Sequence, residues 1–584
     1  MSERAPGGPQ LFRADGRIPV VLGVVGHRQI ANPVLVRQRI ESLLAHLTGE
    51  FGLSDSPLRG MSALADGADR LFAHTLLAAG IPILVPLPMP RGSYETDFDI
   101  DSREEFAALL NHPLVTWYEL PMVGDNTEAN TRDGGTRRDR QYASAGIHIS
   151  KRSHILVAMW DGIDQPKLGG TSWVMRLRES RNLETLVNDP ADWGALVGDQ
   201  SLIEVSQHRQ TYVIPVTRHE ESAGRLADPH WRYVDGAFDS TGNLTLLNQY
   251  NGKIRTELPH LTPSVEPHNS SELSALHVLE GQLTTADTMA IQGVTRVRRT
   301  NVVIYVLAGI MALLVTVFGE FHLWELLVGY LGVASLIAIL LKSMRRTRKS
   351  TTGEQYRALA EALRVQVYWQ QLGVGETVAS HYLHRHEGEI GWVLSALIGA
   401  TPPHSPSPEP AVWNEIATGW FDGQSRYYGR RIHAYERRVR FLARLTRFSF
   451  TAAIVLTAVD AVFLATDYIG SHSSWQTVLR ILTGMLFIGA GLARAYSETA
   501  STSEDIAQYR RMQTLFDRAA QECSALIHRS RQSSQDSSGS GRPNSDGIIR
   551  LLLNNTARRV GEEALREHAD WALVHIAHEP KMPT

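Results

Sequence analysis

VVLGVVGHR, residues 20–28, carries the first reading of this chain. A run this rich in β-branched residues is a strand buried on both faces. Its abrupt change at Gly26 to His27 and Arg28 marks the end that meets solvent or a ligand. Outward from it, residues 18–217 alternate strand and helix patterns. Strands are expected at 20–25 (VVLGVV), 58–62 (LRGMS), 81–88 (IPILVPLP), 114–120 (LVTWYEL), 154–160 (HILVAMW) and 211–216 (TYVIPV), with helical stretches such as VRQRIESLLAHL and EEFAALL between them. That alternation predicts an α/β, Rossmann-like parallel sheet covered by helices on both faces. Ligands in such sheets bind outside the carboxyl ends of the strands.

The strand ends hold the informative residues. Gly26, His27 and Arg28 follow the first strand, SALADGADRLFAH (62–74) follows the second, and Asp161 and then LGGTSW (168–173) follow the one at 154–160. Glycine lets backbone N–H groups approach an anion, and a helix start adds its dipole. Gly169, Gly170 and Thr171 would offer amides and a hydroxyl to a phosphate, and Arg28 a charged fork. Asp66 either caps the helix beginning near Ala68 or contacts a ribose hydroxyl, and Gly67 either relieves a turn or opens the cradle. His27 is either a packing residue or an acid or base. Net charge is −3 and basic residues do not interleave with aromatics in this region, so no nucleic-acid partner is expected.

A chain of 584 residues is too long for one core and implies several units. Its single cysteine, Cys523, excludes an internal disulfide and a multi-cysteine metal site, which fits a reducing compartment. Residues 1–17 are polar and are expected to be disordered, with no cleavable signal.

Charge thins out late in the chain. Residues 302–318 (VVIYVLAGIMALLVTVF) and 326–341 (LLVGYLGVASLIAILL) carry no charge, and 448–466 with 477–493 form a second apolar pair with one charge in each. Seventeen residues reach roughly 26 Å as a helix, close to a hydrocarbon core of about 30 Å. The gaps are short, so each pair is expected to be a transmembrane hairpin, giving an α-helical membrane domain of four spans. Arg296, Arg298 and Arg299 precede the first span, Lys342, Arg345, Arg346, Arg348 and Lys349 follow the second, and Arg437, Arg438, Arg440, Arg444 and Arg447 precede the third. Neither loop has a lysine or arginine, so both loops should face outward, with the N- and C-termini cytosolic at the inner membrane. Asp460 and Arg480 lie inside the second hairpin, each costing about 2.5–3.5 kcal/mol near a helix centre. They form a salt bridge or snorkel near the outer surface, or they line or gate a polar path through an oligomer.

The membrane half looks duplicated. Tyr356–Arg357 lies 15 residues beyond the second span and Tyr509–Arg510 lies 16 beyond the fourth. Leu359, Leu363 and Val367 make a helix stripe suited to a neighbour. TPPHSPSPEP (401–410) and SRQSSQDSSGSGRPNSDG (530–547) read as linkers.

The unit TADTMAIQGVTRVRRTNVVIYVLAG, its hairpin and YRALAEALRVQVYW, together with the C-terminal EEALREHADWALVHIAHEP, resembles the SLATT family of two-span bacterial membrane effectors. GHR, the SALADGADRLFAHTLLAAGIPILVPLP run and the GGT turn resemble, in order, the SLOG superfamily that includes DprA and the LOG phosphoribohydrolases. These resemblances imply a SLOG-like nucleotide-binding domain at 18–220, a connector at 221–281, a first SLATT-like unit at 282–374, a connector at 375–424 and a second unit at 425–584. They imply a nucleotide or ADP-ribose-like ligand held by Gly26, Arg28, Ser62, Gly67, Asp69, Gly169, Gly170 and Thr171. One departure matters. LOG enzymes follow the glycine turn with a glutamate, whereas Ser172, Trp173, Val174 and Met175 stand here and Glu179 comes eight residues after Thr171. Glu95, Asp97 and Asp99 are the nearby carboxylates that would have to replace it. Joined, the halves imply a homo-oligomeric membrane effector, triggered by a nucleotide-derived signal to open a pore or perturb the bilayer, as in bacterial anti-phage defence. The alternative is a membrane-anchored nucleotide N-glycosidase.

Overall fold

A computed structural model describes residues 16–165, 167–179, 210–218, 227–232, 240–258, 271–348, 353–381, 387–400, 410–466, 474–499, 502–536 and 545–577. The chain divides into two compact units, Met1–Asp287 with Ala358–Ser407, and Thr288–Arg357 with Pro408–Thr584.

In the first unit the elements run β1 (Val20–Gly26), α1 (Pro33–Thr48), β2 (Leu58–Met61), α2 (Ala68–Ala78), β3 (Ile83–Leu87), α3 (Arg91–Tyr94), α4 (Ile100–Leu110), β4 (Val115–Glu119), α5 (Thr136–Arg152), β5 (Ile155–Trp160), α6 (Thr171–Glu179), β6 (Gln210–Pro215), β7 (His230–Arg232) and α7 (Ser240–Glu257). The strands form one seven-stranded sheet in the order β4-β3-β2-β1-β5-β6-β7, parallel throughout except for β7, which pairs antiparallel with β6. All six expected strands form. β1 is central, with Val20 opposite Leu58 and Leu22 opposite Ile155, and its valines and Leu22 are buried as a two-faced apolar run requires. The chain leaves β1 toward β2, β3 and β4, then returns through α5 to β5 on the other side of β1. The strand order therefore reverses between β1 and β5.

Three sequence expectations change in this unit. Residues 221–281 contain β7 and α7 and are not a plain connector: Asn251 of α7 accepts from Ile18 N at 2.9 Å and donates to the Ile18 carbonyl and Ser56 Oγ, also at 2.9 Å, which continues the pairing at the start of β1. Residues 1–15 lie outside the described residues, but Gly16 and Arg17, expected to be disordered, are placed, and Arg17 donates to the Asp55 carbonyl at 3.1 Å. The unit also takes in residues from 358 onward. The later part of α10 (Gly353–Leu372), α11 (Val378–His381) and α12 (Glu387–Ala400) group with the sheet, although the sequence reading gave them to the first membrane unit and a connector. His154 shows why: its Nδ1 accepts from Val21 N at 2.8 Å, so Nε2 carries the proton and donates to the Ser395 carbonyl of α12 at 2.7 Å. Gly399 sits so close to the Pro19 carbonyl that a Cβ would overlap it.

The second unit is helical. α8 (Ser271–Phe321) and α9 (Trp324–Arg348) form the first hairpin around His322 and Leu323, and α13 (Pro410–Thr466) and α14 (Ser474–Thr499) form the second. All four are long and apolar enough to cross a membrane, and only 6%, 6%, 11% and 6% of their most apolar windows are buried inside the protein. Such surfaces, with Ile310, Leu331, Ile339, Val455 and Val462 exposed, are not covered within the chain and suit helices that cross a membrane. The loop 467–473 lies outside the described residues.

Beyond the spans, α13 packs with α15 (Thr502–Asp536), and α15 with α16 (Ser545–Ala577). Trp413, Trp420, Phe421 and Tyr428 repeat at about seven residues along α13 and are buried, with Tyr428 stacked on Phe516. Polar contacts set the register: Ser425 Oγ donates to Asp517 at 2.6 Å, Trp413 Nε1 donates to Asn554 at 2.9 Å, and Tyr428 OH lies 3.0 Å from His568 Nε2. The two repeat positions read from sequence meet, as Arg357 Nη2 donates to Tyr509 OH at 3.1 Å. Of the two expected linkers, 401–409 lies outside the described residues. In the other, α15 extends to Asp536 and α16 begins at Ser545.

Candidate functional site

The carboxyl end of β1 is stitched on two sides. His27 N donates to the Met159 carbonyl of β5 at 3.2 Å, and Ala68 N, opening α2, donates to the His27 carbonyl at 3.0 Å. Such closeness demands glycine: Gly67 has φ +76°, and a Cβ there would overlap the Arg28 carbonyl. A second glycine turn brings in α6. Gly169 has φ +73°, and a Cβ would stand 2.6 Å from Ala143 N of α5. The far end of α6 is pinned by buried Arg178, which donates to the carbonyls of Ser153, His154 and Gln210 at 3.0–3.2 Å.

Between these turns opens a cavity of about 370 Å³. It lies at the carboxyl end of β1, beside the strand-order reversal, where open α/β sheets bind ligands. Gly26, His27, Arg28, Asp69, Gly169, Gly170 and Thr171 all line it. The first amides of α6 have no intrahelical acceptor and are suited to an anion. Three cations join them: Arg28, half exposed and 3.5 Å from Asp97; Lys167, exposed; and Arg218, with Nε 2.7 Å from Asp161 Oδ2. Arg28 also lies 5.8 Å over the ring of Tyr142, whose buried hydroxyl has no partner among the described residues.

One wall carries a carboxyl of unusual character. Asp69 is buried at 6% exposure, and Ser62 Oγ donates to its Oδ2 at 3.2 Å. Burial pushes its pKa up to about 7, against the hydrogen bonds from Ser62 and the backbone and the charge of Arg28. Neighbouring Tyr94, also on the cavity wall, donates to the Ala63 carbonyl at 3.2 Å, and burial raises its phenol. His27 is lowered, chiefly by burial, which outweighs the 3.0 Å contact of its Nε2 with Asp161. Burial works against charge on Asp161, but the Ile163 N–H, His27 and Arg218 together hold its carboxyl below the ordinary value.

Four expected ligand residues stand behind the cavity wall. Ser62 is fully buried and orients Asp69 while accepting from Leu64 N at 3.1 Å. Asp66 makes no cap bond: it accepts from Ser102 Oγ at 2.5 Å and pairs with Arg70 at 3.0 Å, because Gly67 occupies the N-cap position. Gly67 serves close packing, and Asp161 locks His27 and Arg218 together. Glu179 pairs with Arg232, Glu95 with Arg91, Asp97 bridges Arg28 and Arg138, and Asp99 caps α4. Tyr94, Tyr142, Lys167 and Arg218 were missed. Arg218 had a readable signal, since it follows the end of the strand at 211–216; the tyrosines sit within helices, where no strand-end rule points. Asp460 and Arg480 meet as an ion pair at 3.4 Å. No protein-family model, curated protein or solved structure matches the chain.

Proposed function

We propose that the sheet domain binds a nucleotide-derived ligand and thereby switches the four-span domain toward an open or membrane-perturbing state. What supports this most is the cavity beside the strand-order reversal, where the α6 amides, Arg28, Lys167 and Arg218 surround a space of about 370 Å³, enough for part of a nucleotide. Phosphate goes to the start of α6, and the tyrosines and Asp69 face the ribose or base. The resemblance to SLOG sensors and SLATT effectors, the outward loops, the cytosolic termini, assembly into a homo-oligomer and a role in anti-phage signalling belong to the same reading. The test is ion flux from liposomes holding the full chain. ADP-ribose or NAD, each with two phosphate groups, should open it, and proven binding of either without any flux would refute it.

One observation favours a second reading. A buried carboxyl with a pKa of about 7, facing the cavity, is the group an acid–base enzyme needs. Release of free base from NAD or nucleoside monophosphates, abolished by Asp69→Asn, would establish a membrane-anchored hydrolase instead.

A further inference from the structure

The spans carry a feature that anchoring alone does not require. α8 and α14 run antiparallel in one register: Tyr305 OH donates to the Ala495 carbonyl at 3.3 Å, Gly309 faces Leu492, Thr316 faces Gly484, and Glu320 Oε2 lies 3.9 Å from Arg480 Nη1. Small residues at Gly309 and Gly484 allow this closeness. On α14, Gln476, Arg480 and Thr483 follow at helical spacing and share one face. Asp460 of α13 meets that face, with its Oδ2 3.4 Å from Arg480 Nε.

Several polar atoms along this face are unsatisfied. Gln476 is buried at 4% exposure, and neither its Oε1 nor its Nε2 has a partner among the described residues; the same holds for Thr483 Oγ1 and Asp460 Oδ1. Bare polar atoms are disfavoured in hydrocarbon, and they are tolerated where they line a hydrated path. At its centre one guanidinium faces two carboxylates contributed by two different hairpins, so the acids outnumber their cation.

We infer that this seam is a cation path within a single chain, in which Asp460 and Glu320 form a cation site and the Arg480 guanidinium is the tethered ion that fills it when the path is closed. Glu320 stands one residue before the end of α8, so the site lies at the hairpin-loop end of the path. This inference rests on the proposed membrane role of the spans. It does not depend on any nucleotide.

The test uses the full chain in vesicles of phosphatidylethanolamine and phosphatidylglycerol under potassium or chloride gradients. Arg480→Ala should release potassium without nucleotide, faster than wild type by on the order of tenfold, and should not release chloride. Guanidinium chloride at millimolar levels should close this variant and leave the wild type unchanged, because the free ion refills the vacated site. Arg480→Lys, which keeps a tethered cation, should stay closed. If Arg480→Ala does not insert, Asp460→Asn removes half of the clamp at nearly the same shape, and a smaller leak of the same selectivity is expected. Inserted variants as tight as wild type, equal passage of potassium and chloride, or indifference to guanidinium would each overturn the inference. Nucleotide-opened wild type beside a closed Arg480→Ala would sink this inference alone, while a leaking Arg480→Ala beside a wild type that no nucleotide opens would sink only the sensor reading.

Discussion

Asp69→Asn should reverse its effect on stability between about pH 4 and pH 8. The wild-type carboxyl titrates near 7 in the fold against an ordinary 3.8, so the folded state binds more protons than the unfolded chain throughout that window. Stability contributed by this group is full below about 3.8 and falls as pH rises to about 7. The displacement of roughly three units corresponds to about 4 kcal/mol held against the folded state at pH 8. Asparagine carries no charge and escapes that penalty, yet its amide NH2 stands where the protonated carboxyl has an oxygen, losing about 1 kcal/mol of hydrogen bonding from Ser62 or the backbone. The variant should therefore melt slightly below wild type near pH 4 and on the order of 5 °C above it near pH 8. The readout is the difference between the two melting curves for the full chain in detergent without added nucleotide. Using the difference cancels His27, whose lowered pKa works in the opposite direction by adding stability as pH rises toward 6.5. Parallel curves for the two proteins across this range would refute a buried, ionisable Asp69.

Arg28→Ala should weaken nucleotide binding by about fivefold in calorimetry and leave the melting temperature nearly unchanged, since the side chain is half exposed and its Asp97 partner keeps Arg138 at 2.8 Å. Gly67→Ala should destabilise the sheet domain by about 1–3 kcal/mol in denaturant titration, because φ +76° disfavours a side chain and the Cβ meets the Arg28 carbonyl. Cys523, buried on α15 with its thiol pushed up to about 12 by burial and by Glu522, should resist maleimide in the folded protein and react on unfolding. Rapid labelling of the native chain would contradict the packing of α15.

The sheet was legible because β1, β3 and β5 are apolar on both faces, a pattern no exposed segment sustains. β7 was not, because three residues, HWR, carry no period and take their conformation from pairing with Thr211–Val213. α7 and α12 were helical by composition, but their place beside β1 is set by long-range hydrogen bonds of Asn251 and His154 that no local pattern announces. At the cavity the glycines marked the correct strand end, while their roles differed. Gly67 lets backbone meet backbone, and Gly169 lets α6 approach α5. Motif order reached Asp69 and assigned it to ligand binding; its raised pKa depends on burial, which only the fold supplies. The membrane hairpins were clear from length and missing charge, and Asp460–Arg480 was open between two readings. The structure adds Glu320, whose position next to a loop concealed it.

The proposed switch sets a quantitative demand that single contacts do not meet. Moving a closed assembly from 1:99 to 99:1 requires the ligand to favour the open state by about 5.5 kcal/mol. One exposed ion pair, such as a phosphate on half-exposed Arg28, supplies at most about 1 kcal/mol. Charge-assisted hydrogen bonds contribute about 1.5–3 kcal/mol each, so the demand calls for several at once. The cavity provides them only to a ligand whose anionic groups reach the α6 amides together with Arg28 and Arg218. A nucleoside diphosphate fits that requirement better than a monophosphate, and mono-anionic ligands should bind without opening. The seam acts on the other side of the same balance. The polar atoms of Gln476, Thr483 and Asp460 keep the seam hydrated while it is closed and so lower what the ligand must supply to open it. Replacing such a group by an apolar one, as in Gln476→Leu, should therefore dry the seam, tighten the closed state and raise the ligand concentration needed to open it.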